Sequence, residues 1–451
     1  MLKCRSQMFG RTVQRHFDLR LRHSGLAFAL WVGVGVCAQL NVPAAENESA
    51  GKFLRLYWYE RGLEHGNPYF DGRFRVNSPE AVIHPSYGQR REVRESGMMR
   101  ILIEEDLRRL SGVELYLELW GGHPGTSQKR LIVNGRGHYA IPEVGTADKH
   151  CTHQYPTIPL AVTDLVNGYN AIQFACDQGS GFWGHFIVDN ACLRLALTNG
   201  HPHLVKEGLA PFKAELKTTL SPGDRELIVL ELESSDPTRI AAVDFEGFYS
   251  GYDENGNTLT HDWHGFTKDR KPSAILGTAT EPPFRLNWDV RMLPAQKEVT
   301  VRATIHFKGL TNLVYLSRAT SGCEIPDRTR TTVALYSTAD LPQPFWSRAN
   351  RARECSIHLD IAPERIEAAE LHVVAWTGGP GDVRDYFKLN GRHLGVADGA
   401  AHRVAYSHRE IDPKLLQKGA NKLVLLSDTE HHGIEIFRPG PALMVRYRNS
   451  P

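Results

Sequence analysis

The chain of 451 residues is 41% hydrophobic and 23% charged, a balance that rules out a disordered tail or a fibre and suffices for several separate cores. Its formal charge of +2 is set by the N-terminus. Residues 1–44 hold six basic side chains and one acid, Asp18, so the remainder carries 47 basic and 50 acidic residues and a charge of −3. Such a near-neutral body argues against a strong polyanion binder such as a DNA-binding domain.

Residues 1–25 are basic, Leu26 to Leu40 are apolar apart from glycines and Gln39, and small residues follow at Val42-Pro43-Ala44-Ala45. That order predicts a secretory signal peptide over 1–44, hence a secreted, periplasmic or cell-surface protein. The apolar run of about 15 residues is short for a bilayer span, which needs about 20; a retained N-terminal anchor is the alternative. Beyond it lie Cys151, Cys176, Cys192, Cys323 and Cys355. An oxidising compartment favours pairing, and Cys176 with Cys192, flanking one loop, is the first expected bridge.

Short apolar alternations bounded by Gly, Pro and Asn dominate the rest, with Asn-Gly pairs at 134, 167, 199, 255 and 390 that suit tight hairpins. The fold class is therefore all-β. Helical turns are expected only at Arg100–Arg109 and Asp412–Lys418. Tyr57-Trp58-Tyr59 reads as a strand over the first core, and the mixed charges of Gln89–Glu95 read as a solvated face.

The two ends of the chain resemble each other. Leu115–Trp120, a Gly/Pro loop and Leu131-Ile-Val-Asn134-Gly135 match Leu371–Trp376, a Gly/Pro loop and Phe387-Lys-Leu-Asn390-Gly391, with 14 residues from Trp to Asn in both. Gly168-Tyr-Asn170 corresponds to Gly419-Ala-Asn421. From Asn170 to Ala191 is 21 residues, as it is from Asn421 to Ala442. Equal spacings at separated points indicate two copies of one β-sandwich unit. Their strand order resembles the galactose-binding-like jelly roll, a family whose members bind sugars in some proteins and only pack in others, often around a calcium ion.

The middle differs. Ile240–Phe245, Gly277-Thr-Ala-Thr280, Pro283-Phe284, Trp288-Asp289 and Leu293-Pro294 resemble, in that order, a bacterial immunoglobulin-like module of secreted surface proteins. Val299, Val301, Ala303 and Ile305 alternate as one buried strand face. The expected organisation is two jelly-roll β-sandwiches, 52–200 and 341–449, flanking an immunoglobulin-like β-sandwich at 204–320, with His201-Pro-His and 320–340 as connections. The insertion 249–270 is longer, and richer in His, Asp and Trp, than the resemblance requires.

No G-x-S-x-G, H-E-x-x-H, Walker A or C-x-x-C sequence occurs. A glycosidase or lyase has no short signature and stays open. His150, Cys151 and His153 have zinc-ligand chemistry but lack a full set; a polar loop is the alternative. Asp253, Asn255 and Asn257 offer oxygens for calcium, although a hairpin turn explains them equally well. For carbohydrate, aromatic rings beside polar groups matter. Sandwich loops supply Trp183, His185, Asp177, His123 and Tyr155 at one end, and Asp428, His431 and His432 at the other. Strand alternation sets Trp120 with Glu114, Tyr116 and Glu118, and Trp376 with Glu370, His372 and Val374, where each tryptophan either contacts ligand or closes a core. The expected function is non-catalytic recognition of carbohydrate or another extracellular polymer. The alternatives are a polysaccharide-active enzyme using Asp253, His261, Asp262 and His264, and a purely structural surface protein.

Overall fold

The computed structural model describes residues 51–59, 74–76, 98–121, 126–142, 153–177, 186–221, 226–252, 260–261, 275–342, 345–377, 387–394, 403–427 and 433–449. They fall within one compact unit, Asn47–Pro451, and are nearly all strand, in several antiparallel sheets. The segment 1–44, expected as a signal peptide, lies outside the described residues.

Period-two alternation sets the architecture. In the strand Leu110–Trp120, Val113, Leu115, Leu117 and Leu119 enter the main core; in Gln296–Phe307, Val299, Val301, Ala303 and Ile305 do the same and are fully buried. Among the described residues, one twelve-stranded sheet carries both strands. Its joint is Lys52–Trp58, which pairs with Phe186–Leu197 on one side and Leu310–Leu316 on the other. A four-stranded sheet that includes Met98–Ile103 and Gly168–Asp177 shares its core with one part of the large sheet, and a three-stranded sheet that includes Leu227–Ser234 with another. The first two thirds of the chain thus hold one continuous hydrophobic cluster, from Phe53 to Ile325, where separate cores were expected. The shared strand is the reason: its Phe53 meets Phe212, Phe307 and Tyr315 at centroid distances of 4.9 to 6.2 Å.

The last third has a core of its own, from Phe345 to Val445, between a six-stranded sheet built on Ile366–Thr377 and a four-stranded sheet built on Gly419–Leu425.

The internal similarity extends to individual hydrogen bonds. Asn134 and Asn390 both take positive φ, 49° and 48°. Asn134 Nδ2 donates to Asn170 Oδ1 (2.8 Å) and to the Asp164 carbonyl, while Asn170 bridges both backbone groups of Val166 and the Gly168 carbonyl. Asn390 Nδ2 donates to Asn421 Oδ1 (2.9 Å) and to the Leu415 carbonyl, while Asn421 bridges both groups of Gln417 and the Gly419 carbonyl. Asn170 and Asn421 are fully buried, so these turns need the amide that satisfies them.

The structure refines several local expectations. Arg100–Ile103 belongs to the strand Met98–Ile103, because Met99, Ile101 and Ile103 alternate inward; only Leu107–Arg109 is a 3-10 turn, capped by Asp106. In the later segment the turn is Pro413–Leu415, capped by Asp412. Within the connection His201-Pro-His, His201 is buried and caps the short helix Pro202–Lys206, while Pro202 is exposed. Finally, Cys176 and Cys192 do not bridge each other. The Cys176 thiol donates to the Val76 carbonyl within the main core, and the Cys192 thiol faces a different cluster with Leu54, Leu56 and Tyr116.

Candidate functional site

The strand Ile366–Thr377 buries Leu371, Val373 and Ala375 in the last core, so Glu370, His372, Val374 and Trp376 share its opposite face. Its neighbour Arg403–Ile411 sets His408 directly across from His372 and Tyr406 across from Val374. Part of this face is buried, with His372 8% and Val374 2% exposed. Tyr252, just beyond the strand Ile240–Ser250, joins Val374, Phe437 and Ala442 in a small cluster with Trp120, Leu335 and Trp376. The Tyr252 hydroxyl donates to the Gly440 carbonyl at 2.8 Å. All three regions of the chain therefore contribute to this junction, and both repeat tryptophans end here.

Beside the junction opens a cleft of about 1140 Å³. One wall carries Tyr249, Trp288, Asp289 and Arg291; the other carries Glu370, His372, Tyr406, His408 and Glu410. Tyr249 and Trp288 rings lie 5.2 Å apart, with Trp288 buried and Tyr406 41% exposed. Several charges are neutralised: Arg446 pairs with Glu226 and Glu367, and Arg291 with Asp289 at 2.6 Å.

Glu370, His372 and His408 form the ionisable centre. His408 Nε2 lies 3.0 Å from Glu370 Oε2, and His372 Nε2 lies 3.6 Å from the same oxygen, too far for a hydrogen bond. His372 Nδ1 is 2.6 Å from the Tyr406 hydroxyl. The His372 and His408 rings are parallel, 4.9 Å between centroids, and Tyr252 stacks on His372 at 5.4 Å. Burial alone would raise the Glu370 pKa, but the two imidazoles overcome it and hold the carboxyl down to about 2. Burial pushes His372 below the ordinary imidazole value, whereas the hydrogen bond to Glu370 raises half-exposed His408. The site thus combines aromatic faces, a carboxylate whose pKa is held low and two imidazoles of opposite tendency.

Of the binding residues singled out from the sequence, the described ones, Tyr155 and Asp177, lie elsewhere. Tyr155 is half-buried against the cluster of Leu54, Leu56 and Tyr116, and Asp177 pairs with Arg130 at 3.1 Å. His123, Trp183, His185, Asp253, Asn255, Asn257, Asp262, His264, Asp428, His431 and His432 lie outside the described residues, as do His150 and Cys151. The backbone of His261 pairs with Tyr249, and that of His153 with Trp120. The sequence did flag Glu370 and His372 as sharing the polar face with Trp376; it gave no sign of His408, Tyr406 or Tyr252 as their partners.

No family model matches this chain, and no curated protein matches it. Among solved structures it is similar to BuGH86 in complex with neoagarooctaose, at 9% identity over 52% of this chain and 34% of that one, TM-score 0.24. It is likewise similar to a β-porphyranase of glycoside hydrolase family 86 from the human gut bacterium Bacteroides plebeius, at 10% identity over 53% and 37%, TM-score 0.24. The chain thus matches only about a third of each, and a likeness this distant carries no functional weight. Among the described residues, no helix is long and apolar enough to cross a membrane.

Proposed function

We propose that this is an exported, non-catalytic protein that recognises carbohydrate or another extracellular polymer, and that the cleft between the middle and last regions is its principal binding site. The supporting observation is the pairing of accessible aromatic rings, Tyr406 and Tyr249, with the carboxylates and imidazoles of Glu370, Glu410 and His408 around a cavity of about 1140 Å³. A pyranose offers C–H faces to such rings and hydroxyls to such polar atoms. Both arginines in the cleft, Arg291 and Arg446, already pair with carboxylates, which favours a neutral sugar over a sulfated or uronate polymer. The galactose-binding-like and immunoglobulin-like resemblances fit this reading, with the loop residues around Trp183 and His431 as secondary contacts that would add avidity.

A glycan array carrying neutral and acidic oligosaccharides tests it. Binding to a neutral subset, lost in Tyr406→Ala, is expected; an array without any hit, or hits unaffected by Tyr406→Ala, would refute the cleft assignment. The runner-up, a polysaccharide-active enzyme, gains support from one observation: the Tyr406–His372 contact beside Glu370 resembles an acid/base relay. Reducing-sugar release from the same glycans would establish it.

A further inference from the structure

We propose that Glu370, His372 and His408 together bind one divalent transition-metal cation, zinc being the best match, in the wall of the cleft. Their donor atoms, one carboxylate oxygen and two imidazole nitrogens, all lie within 4.8 Å of one another. Two histidines and one carboxylate form a borderline donor set suited to zinc rather than to calcium or magnesium, which take oxygen ligands.

The spacing fits. Bonds of about 2.0–2.1 Å in a tetrahedral site set neighbouring donors roughly 3.3 Å apart. The two distances to Glu370 Oε2, 3.0 Å and 3.6 Å, bracket that value.

A second observation is independent of the cluster's composition. His372 is 8% exposed, and its buried Nε2 has no hydrogen-bond partner. The nearest group is the Glu370 carboxylate, itself an acceptor. In the tautomer whose Nδ1 donates to the Tyr406 hydroxyl, 2.6 Å away, Nε2 carries a lone pair that faces a carboxylate oxygen 3.6 Å away. Two acceptors facing each other in a buried site leave a place for a cation. The Tyr406 contact is also what a metal-bound histidine needs at its other nitrogen, since it fixes both tautomer and ring orientation.

The two imidazoles are parallel in this structure, so a shared ion requires half-exposed His408 to swing about its side-chain torsions while buried His372 stays in place. Three protein donors leave at least one coordination position toward the cleft, as in zinc sites that hold water or substrate. The proposal stands whether or not the cleft takes a sugar.

The test uses the purified protein, stripped with a chelator and desalted, then titrated with ZnCl2 by calorimetry and with CoCl2 by absorption spectroscopy. One tight zinc equivalent is expected, with cobalt d–d bands of a low-coordinate site. Glu370→Gln and His408→Gln, both on the cleft face and checked by circular dichroism, should weaken zinc binding far more than tenfold. Tyr406→Phe, which removes only the support, should weaken it by about tenfold. No zinc equivalent in the native protein, or one unchanged in Glu370→Gln and His408→Gln, overturns the proposal.

Discussion

Replacing Tyr252 by alanine should loosen the last third of the chain from the rest while leaving both cores intact. Tyr252 is 5% exposed, and its ring lies against His372 and Tyr406 at centroid distances of 5.4 and 5.8 Å. An aromatic side chain of this kind buries on the order of 150–200 Å². At about 25 cal/mol per Å² that amounts to roughly 4–5 kcal/mol; the lost bond to the Gly440 carbonyl adds about 1 kcal/mol. Partial collapse of the gap offsets some of this, so about 4 kcal/mol is expected, within the usual range for removing a buried ring. With an unfolding entropy of about 2.1 cal/mol/K per residue, a unit spanning Asn47–Pro451 loses roughly 1 °C per kcal/mol, and the variant should therefore melt roughly 5 °C lower. Scanning calorimetry should also resolve two transitions where the coupled protein shows one, because docking no longer links the two cores. Tyr252→Phe keeps the ring and should cost only about 1 kcal/mol. Unchanged melting in Tyr252→Ala, or a Tyr252→Phe as damaging as Tyr252→Ala, would refute the reasoning.

Asn421→Ala strands the Gln417 amide and carbonyl and the Asn390 amide in a buried turn, so thermal or urea unfolding should show a loss of about 3 kcal/mol, with Asn170→Ala similar in the first region. The centre at Glu370 makes stability pH-dependent. His408 has a raised pKa, so its contribution is full below the ordinary imidazole value and lost as pH rises through the raised one. Glu370 is depressed from 4.5 to about 2, so its contribution is full above 4.5 and lost as pH falls toward 2. The stability gap between the native protein and His408→Gln should accordingly peak between about pH 4.5 and 6.5 in urea titrations and narrow on both sides. His408 is half-exposed, so added salt should shrink that gap. Burial pushes the thiols of Cys323 and Cys355 up to about 11 and about 12, so a thiol reagent at pH 8 should label them only after denaturant is added.

Much of the fold was legible because strand alternation is local. The inward sets Leu115/Leu117/Leu119 and Leu371/Val373/Ala375, and the outward set Glu370/His372/Val374/Trp376, follow from period two alone. The matched Asn-Gly turns were equally readable, since Asn-Gly pairs at fixed spacing take positive φ by residue type, whereas the buried amides of Asn170 and Asn421 emerge only from the fold. Arg100–Ile103 misled because it runs into the charged, helix-favouring stretch Glu104–Arg109, while burial of Met99, Ile101 and Ile103 decides for a strand. The site itself was only half visible. Glu370 and His372 lie two residues apart, but His408 reaches them through the pairing of two strands separated by a hairpin, and Tyr252 comes from another region altogether. Local pattern cannot encode a docking geometry. The same limit explains Cys176 and Cys192, which flank one loop yet lie on different sheets, Cys176 facing the shared core and Cys192 a separate cluster.

The most direct test of the cleft as the recognition site is retention on insoluble neutral polysaccharides, such as cellulose, chitin and agarose, by the native protein and by a Tyr249→Ala/Tyr406→Ala double variant. The account predicts that at least one matrix retains the native protein and that the double variant flows through. Retention that survives the double variant, and falls instead with Trp183→Ala, would contradict it.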